Sequence, residues 1–371
     1  NLLKAPFAAS SNGKSFVFTD LIKGHEEEFS MEEFPTQSEL WQKFVQDKQY
    51  TPEQIEIISK DYYHGTDGKE PRYYQRAVID LVVEAYAKGR KRMMFVMATG
   101  TGKTYTAFQI LYRLMQTTNG NNIRILYLAE RNVLIDQTMD QDFKPFGNKM
   151  IKIENRTAST SYEIFMSLYQ QLVQYNLPPD APQPYEQFNR NYFDIIMIDE
   201  CHRGSAKKNS EWRQILDYFS GAVQIGMTAT PRDDTDSDNS NISYFGEPLY
   251  TYSLKQGIKD GFLAPYRVTK VHINVDGGMV IDEKDAAESK GKLEVGQTVE
   301  KKDFALTLGI EKHYKVAAER ITQFLERIGP MTKTIVFCDE EIDAAKMRSA
   351  LIKENEARQA ENQNKYIMRI T

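Results

Sequence analysis

Four short, mostly apolar runs mark the middle of the chain. They lie at residues 93–97 (M-M-F-V-M), 123–129 (I-R-I-L-Y-L-A), 193–198 (F-D-I-I-M-I) and 222–227 (A-V-Q-I-G-M). None shows the strict apolar–polar alternation of a half-solvated strand, so each predicts a buried strand. Between them the period changes to that of a helix. Val78, Ile79, Val82 and Val83 share one helical face, as do Ala107, Ile110, Leu111, Leu114 and Met115, while Leu134, Ile135 and Thr138 open a third helix. Strands alternating with amphipathic helices predict an α/β fold with a parallel sheet.

The flanks are less regular. Residues 15–19 read as a short strand, residues 26–33 as an acidic, solvated run, and residues 38–47 as a helix with Leu40, Trp41, Phe44 and Val45 on one face. Thr51 and Pro52 mark a further helix start. Residues 162–172 fit a helix or a strand edge, 177–187 a proline-rich loop and 233–241 a polar loop. Beyond them, 266–275 alternates like a strand, 276–303 reads as a charged insertion and 304–328 as a helix. Residues 332–338 and 366–371 read as strands on either side of a helix through Ala344, Met347 and Leu351.

Chemistry concentrates where the first apolar run ends. The sequence A-T-G-T-G-K-T follows it and leads into a helix. Strand, glycine turn, G-K-[ST], helix is the context of a phosphate-binding loop. Thr99, Gly100, Thr101 and Gly102 would turn backbone N–H groups toward a phosphate, with the helix N-terminus adding partial positive charge. Lys103 would reach the terminal phosphates and Thr104 would offer a hydroxyl to Mg²⁺. Met97 and Ala98 stand where the general pattern begins with glycine.

The third apolar run ends in Asp199-Glu200-Cys201-His202. Two adjacent acids at the end of a buried strand call for a cation or for proton transfer. Asp199 suits Mg²⁺, Glu200 suits a general base that polarises water, and His202 suits a γ-phosphate sensor. The fourth run closes with Thr228-Ala229-Thr230, small hydroxyl residues that can couple to the acids. Upstream, Gln75 offers a donor and an acceptor side by side, matching the N6/N7 edge of adenine, with Arg72 or a neighbouring tyrosine to stack on the base. Gln75 can equally cap its helix. Arg131, just past the second run, either touches a ligand backbone or caps a helix through an ion pair.

With 371 residues the chain has room for about two to three domains. It has no apolar run near the ~20 residues of a membrane span. Cys201 and Cys338 lie far apart without zinc spacing and read as reduced thiols of a cytoplasmic protein. The net charge of −5 means that a nucleic-acid partner would need a local basic groove.

Tyr73-Tyr74-Gln75, A-T-G-T-G-K-T, D-E-C-H and T-A-T, in this order, resemble the superfamily 2 helicases and translocases, whose phosphate loop also begins with alanine. D-E-C-H-R-G from Asp199, Y-S-L-K-Q-G-I-K-D-G-F-L-A-P-Y from Tyr252 and P-F-A-A-S-S-N-G-K-S-F from Pro6 look like the R, restriction and motor, subunit of type I restriction-modification enzymes. The resemblance implies RecA-like lobes, ATP with Mg²⁺, translocation on double-stranded DNA, and methyltransferase and specificity subunits as partners. It divides the chain into an extension at 1–65 that follows an absent nuclease domain, a first motor lobe at 66–265, a connection at 266–328 and the truncated start of a second lobe at 329–371. Glu288-Ser289-Lys290, with Asp276 and Asp282, has nuclease-like spacing but no strand to hold it, so nuclease activity is not expected. The family's second-lobe arginine finger lies beyond these residues, and turnover by this piece alone is expected to be poor, since such an arginine is worth ~10³–10⁵ in rate. Two other expectations stand beside this one: another superfamily 2 DNA or RNA helicase, and a nucleotide-dependent DNA-binding scaffold without turnover. A small-molecule kinase would leave D-E-C-H and T-A-T without a role.

Overall fold

The computed structural model describes residues 5–66, 68–117, 122–157, 159–174, 177–178, 181–201, 211–230, 241–269, 279–280, 296, 298–299 and 311–370. They form two units, 1–265 and 266–371.

The first unit opens with an antiparallel meander of β1 (Phe7–Ser11), β2 (Ser15–Asp20) and β3 (His25–Ser30). Asn12 Oδ1 accepts the N–H groups of Lys14 and Ser15 and closes the first turn, with Gly13 at φ +87°. The acidic run expected to be solvated is so: residues 25–30 pair with β2, and Glu26, Glu27 and Glu28 stay exposed on this edge, where charge discourages further pairing. α1 (Gln37–Lys48) follows, capped by Thr36 and Glu39, and sends Lys43 to Asp20 at 3.0 Å. α2 (Pro52–Ile58) starts where Thr51 and Pro52 predict.

The core is a seven-stranded, all-parallel sheet. Its strands are β4 (Arg92–Met97), β5 (Ile125–Ala129), β6 (Met150–Lys152), β7 (Ile164–Leu168), β8 (Ile195–Ile198), β9 (Val223–Thr228) and β10 (Thr251–Tyr252), in spatial order β10-β4-β9-β8-β5-β7-β6. α3 (Tyr73–Ala87), α4 (Lys103–Met115), α5 (Asn132–Asp140), α6 (Tyr169–Leu172), α7 (Glu211–Tyr218), α8 (Asn241–Phe245) and α9 (Leu254–Lys259) accompany it. The absence of alternation in the runs has a direct explanation. Met93, Phe95 and Met97 enter one core with Val78, Val82, Phe108 and Leu111, while Met94 and Val96 enter another with Phe188, Phe193, Ile215 and Phe219. Successive residues of a strand point to opposite faces, so a sheet covered on both faces makes every position apolar. Residues 162–172 resolve into β7 followed by α6.

In the second unit a two-stranded ribbon pairs β11 (Met279–Val280) with β12 (Thr298–Val299). α10 (Glu311–Ile328) and α11 (Glu341–Glu354) pack through Tyr314, Ala318, Met347 and Leu351, and α12 (Glu356–Glu361) follows. The strands expected at 332–338 and 366–371 do not form among the described residues. A strand requires a ladder partner, and neither segment has one there; Ile335, Phe337 and Ile370 are instead largely exposed. The expected strand at 266–275 is irregular over 266–269 and lies otherwise outside the described residues, as do nearly all of 276–303, with its Asp276, Asp282 and Glu288, and the start of the 304–328 helix.

Candidate nucleotide-binding site

β4 ends at Met97 and α4 begins at Lys103, so the loop between them sits at the carboxyl edge of the parallel sheet. Gly100 and Gly102 take φ of +82° and +84°, the left-handed conformation in which glycine carries no Cβ penalty. Thr101 is buried, its hydroxyl donating to the Ala98 carbonyl, so Thr99 and Gly100 form the exposed rim.

The start of α3 braces this loop. The Tyr74 hydroxyl and the Gln75 amide both donate to the Thr101 carbonyl, at 3.0 and 2.9 Å. Gln75 Oε1 accepts from the Arg72 N–H at 2.8 Å, so the buried amide serves as both cap and brace. The contact is close: a Cβ on Gly102 would lie 2.5 Å from Gln75 Nε2.

A third layer comes from β10, α9 and the turn after them. Tyr252 stacks on Tyr74 at 3.9 Å between ring centroids, Leu263 lies against Gly100, and Arg72 lies over the Phe262 ring at 4.5 Å. The Tyr73 and Tyr252 hydroxyls and the Gln256 amide converge on the Asp260 carboxylate. Hydrogen bonds from Tyr73 and Tyr252 hold that carboxyl below its ordinary range. The sequence marks this segment only by its family resemblance, because its role lies in contacts with residues about 180 positions upstream.

The acid pair stands two strands away, at the end of β8. The Asp199 N–H donates to the Leu128 carbonyl of β5 at 2.9 Å, and the Cys201 N–H to the Met227 carbonyl of β9 at 3.1 Å. The two acids thus occupy a turn pinned between neighbouring strands, with Glu200 at φ +48°. A non-glycine residue in this region stores roughly 1 kcal/mol or more. Glu200 Oε1 lies 3.5 Å from Lys103 Nζ, and both side chains are mostly shielded. Burial, reinforced by the Glu200 carboxylate and opposed by the Lys103 ammonium, pushes Asp199 up to about 6. Burial and the same carboxylates push the Cys201 thiol up, so it behaves as an inert apolar group.

Lys103, Thr104, Asp199 and Glu200 therefore share one edge of the sheet, although the two motifs lie far apart in the chain. Thr228 ends β9 beside them, buried, and its hydroxyl accepts the Thr230 N–H at 3.1 Å. Arg131 is an exposed N-cap position of α5 at the same edge and forms no ion pair with a described residue. His202 lies outside the described residues. Sequence reading missed Tyr127, whose hydroxyl faces Asp199 Oδ2 at 3.4 Å, and Tyr169, whose hydroxyl donates to the Asp199 carbonyl at 3.0 Å. The available signal was a phenol inside the aliphatic β5 run, where a buried hydroxyl requires a partner.

Comparison with known proteins narrows the family. Residues 68–233, which hold every element just described from the loop to T-A-T, match the profile of the family described as type III restriction enzyme, res subunit. The whole chain aligns at 45% identity with the type I restriction enzyme EcoAI endonuclease subunit of Escherichia coli, covering 45% of that protein. The chain is thus similar over its whole length to type I restriction endonuclease subunits. The EcoKI endonuclease subunit of Escherichia coli K12 matches at 28% identity over 90% of this chain and 31% of its own length. A solved fragment from Vibrio vulnificus YJ016, assigned as an HsdR subunit of a type I restriction enzyme, superposes with a TM-score of 0.72 at 35% identity, covering 97% of this chain and 59% of its own. The RecA-like architecture expected of helicase-superfamily proteins is thus present, and the chain spans less than half the length of the curated relatives it matches. Among the described residues no helix is long and apolar enough to cross a membrane.

Proposed function

We propose that this chain carries the nucleotide-binding motor lobe of a type I restriction endonuclease subunit, which uses ATP hydrolysis to translocate double-stranded DNA. The approach of Lys103 to Glu200 supports this reading most directly, since it joins the phosphate loop and the acid pair at one end of a parallel sheet. Residues 99–104 bind the phosphates. Arg72, exposed and stacked on Phe262, lies beside the loop and is positioned to meet the base, while Gln75 holds the loop and borders the same space.

The donor set suits Mg²⁺ better than a metal that needs a protein cage. Among the described residues no cluster of three or more His, Cys, Asp or Glu side chains is present, and Mg²⁺ characteristically takes one or two protein oxygens, completing its shell with water and phosphate. Thr104 and Asp199 would supply those oxygens, and the ion would neutralise charge on the phosphates. Glu200 then has the task of accepting a proton from the attacking water. Before phosphate arrives, Glu200 is paired with Lys103; a terminal phosphate competes for the ammonium and releases the carboxylate for that task. Thr228 and Thr230, on the adjacent strand end, and Arg131, at the same sheet edge, are the groups proposed to pass the state of the acids to DNA; contacts of this kind read backbone, in keeping with movement that ignores sequence. Methyltransferase and specificity subunits would supply target choice. Comparing ATP turnover in the presence of duplex DNA, single-stranded DNA and RNA tests the reading, with stimulation by duplex expected.

A further inference from the structure

Asp199 meets two buried phenols, one from β5 and one from the start of α6. Tyr127, in β5 and fully buried, directs its hydroxyl to Asp199 Oδ2 at 3.4 Å. Tyr169, the residue after β7 and also buried, donates to the Asp199 carbonyl at 3.0 Å. Asp199 Oδ1 accepts the Glu200 N–H at 2.9 Å. Packing alone does not require these hydroxyls: phenylalanine would fill the same volume in an apolar sheet, and desolvating a phenol costs free energy unless it finds a partner. Both hydroxyls reach the residue that precedes the strained Glu200, the Tyr127 hydroxyl also bonding the Thr138 side chain on α5.

We propose that Tyr127 and Tyr169 are positioning residues for the acid pair, Tyr127 orienting the Asp199 carboxylate for the metal–nucleotide complex and Tyr169 fixing the peptide from which Glu200 projects. The proposal deepens the nucleotide reading above and rests on it. Neither phenol touches nucleotide. Each acts through Asp199, so its effect is confined to the part of nucleotide affinity that depends on the metal.

The test is binding of a non-hydrolysable ATP analogue, AMP-PNP, by calorimetry on the whole chain, once with Mg²⁺ and once in EDTA, for wild type, Tyr127→Phe and Tyr169→Phe. Thermal melting of each variant verifies folding. In the wild type Mg²⁺ should tighten binding. Tyr127→Phe should reduce that Mg²⁺-dependent gain by about three- to tenfold, the scale of one ordinary intramolecular hydrogen bond, while affinity in EDTA stays within about twofold of wild type. Tyr169→Phe should also reduce the gain, and serves as the independent test should Tyr127→Phe not fold. A gain equal to wild type in the folded variants overturns the proposal, as does an equal loss with and without Mg²⁺, which would mark the phenols as structural. A wild type whose analogue binding is indifferent to Mg²⁺ removes the underlying reading as well, a result distinct from the other two.

Discussion

Gln75 Nε2 donates to the Thr101 carbonyl at 2.9 Å, linking the first turn of α3 to the crest of the phosphate loop. The loop's shape is therefore held by a side chain 26 residues upstream. Removing it leaves the Thr101 carbonyl with Tyr74 as its donor and takes the cap from the Arg72 N–H, two hydrogen bonds worth about 1–3 kcal/mol together. Gln75→Ala should lower stability on that scale and weaken ATP and GTP binding together. A selective loss of ATP affinity with GTP unaffected, measured by competition, would assign Gln75 to reading adenine instead of bracing the loop.

Gly102 tests the same relationship from the other side. Its φ of +84° disfavours any Cβ, and the Cβ of alanine would meet Gln75 Nε2 at 2.5 Å. Gly102→Ala should therefore displace the brace and abolish measurable nucleotide binding, with a loss of stability of about 1–3 kcal/mol from strain and contact together. Gly13→Ala, at a φ of +87° in an open turn, carries the strain without the collision and should leave nucleotide binding intact.

Asp199 makes stability depend on pH in a defined direction. Its carboxyl is raised from 3.8 to about 6, so the folded chain holds that proton more tightly than the unfolded chain does. The contribution favours folding fully below about pH 4 and is lost as pH rises through about 6, leaving a penalty on the order of 1–3 kcal/mol at neutral pH without metal. Asp199→Asn should raise the melting temperature of the metal-free protein at pH 7.5 and have little effect at pH 4. Thermal melts at both values check this. A variant less stable than wild type at pH 7.5 would mean that the acid is already compensated.

The sheet was largely legible in the sequence because strands covered on both faces leave nearly continuous apolar runs, and four of its seven strands are such runs. The rest was not, for reasons of length and distance. β6 and β10 have three and two residues, too few for any period to register, and they form only as edges of a sheet already built. β7 contains Ser167 and runs straight into α6, which blurs strand and helix. At 332–338 the composition of a strand is present, but a strand is a property of a pair, and no partner lies among the described residues. For the site, the glycine loop and the acid pair are contiguous in sequence and were visible. Tyr127, Tyr169, Tyr252 and Asp260 act through contacts across the sheet edge, which local pattern does not encode.

The central claim is that Lys103 and Glu200 belong to one hydrolytic site that duplex DNA activates. Its most direct test is ATP turnover by wild type and Glu200→Gln, in a chain extended to the length of the relatives, with duplex DNA, single-stranded DNA and RNA in parallel. The account predicts strong stimulation of the wild type by duplex alone, and loss of turnover in Glu200→Gln by about 10²-fold or more, with nucleotide still bound. Full turnover by Glu200→Gln, or equal stimulation by RNA, would contradict it.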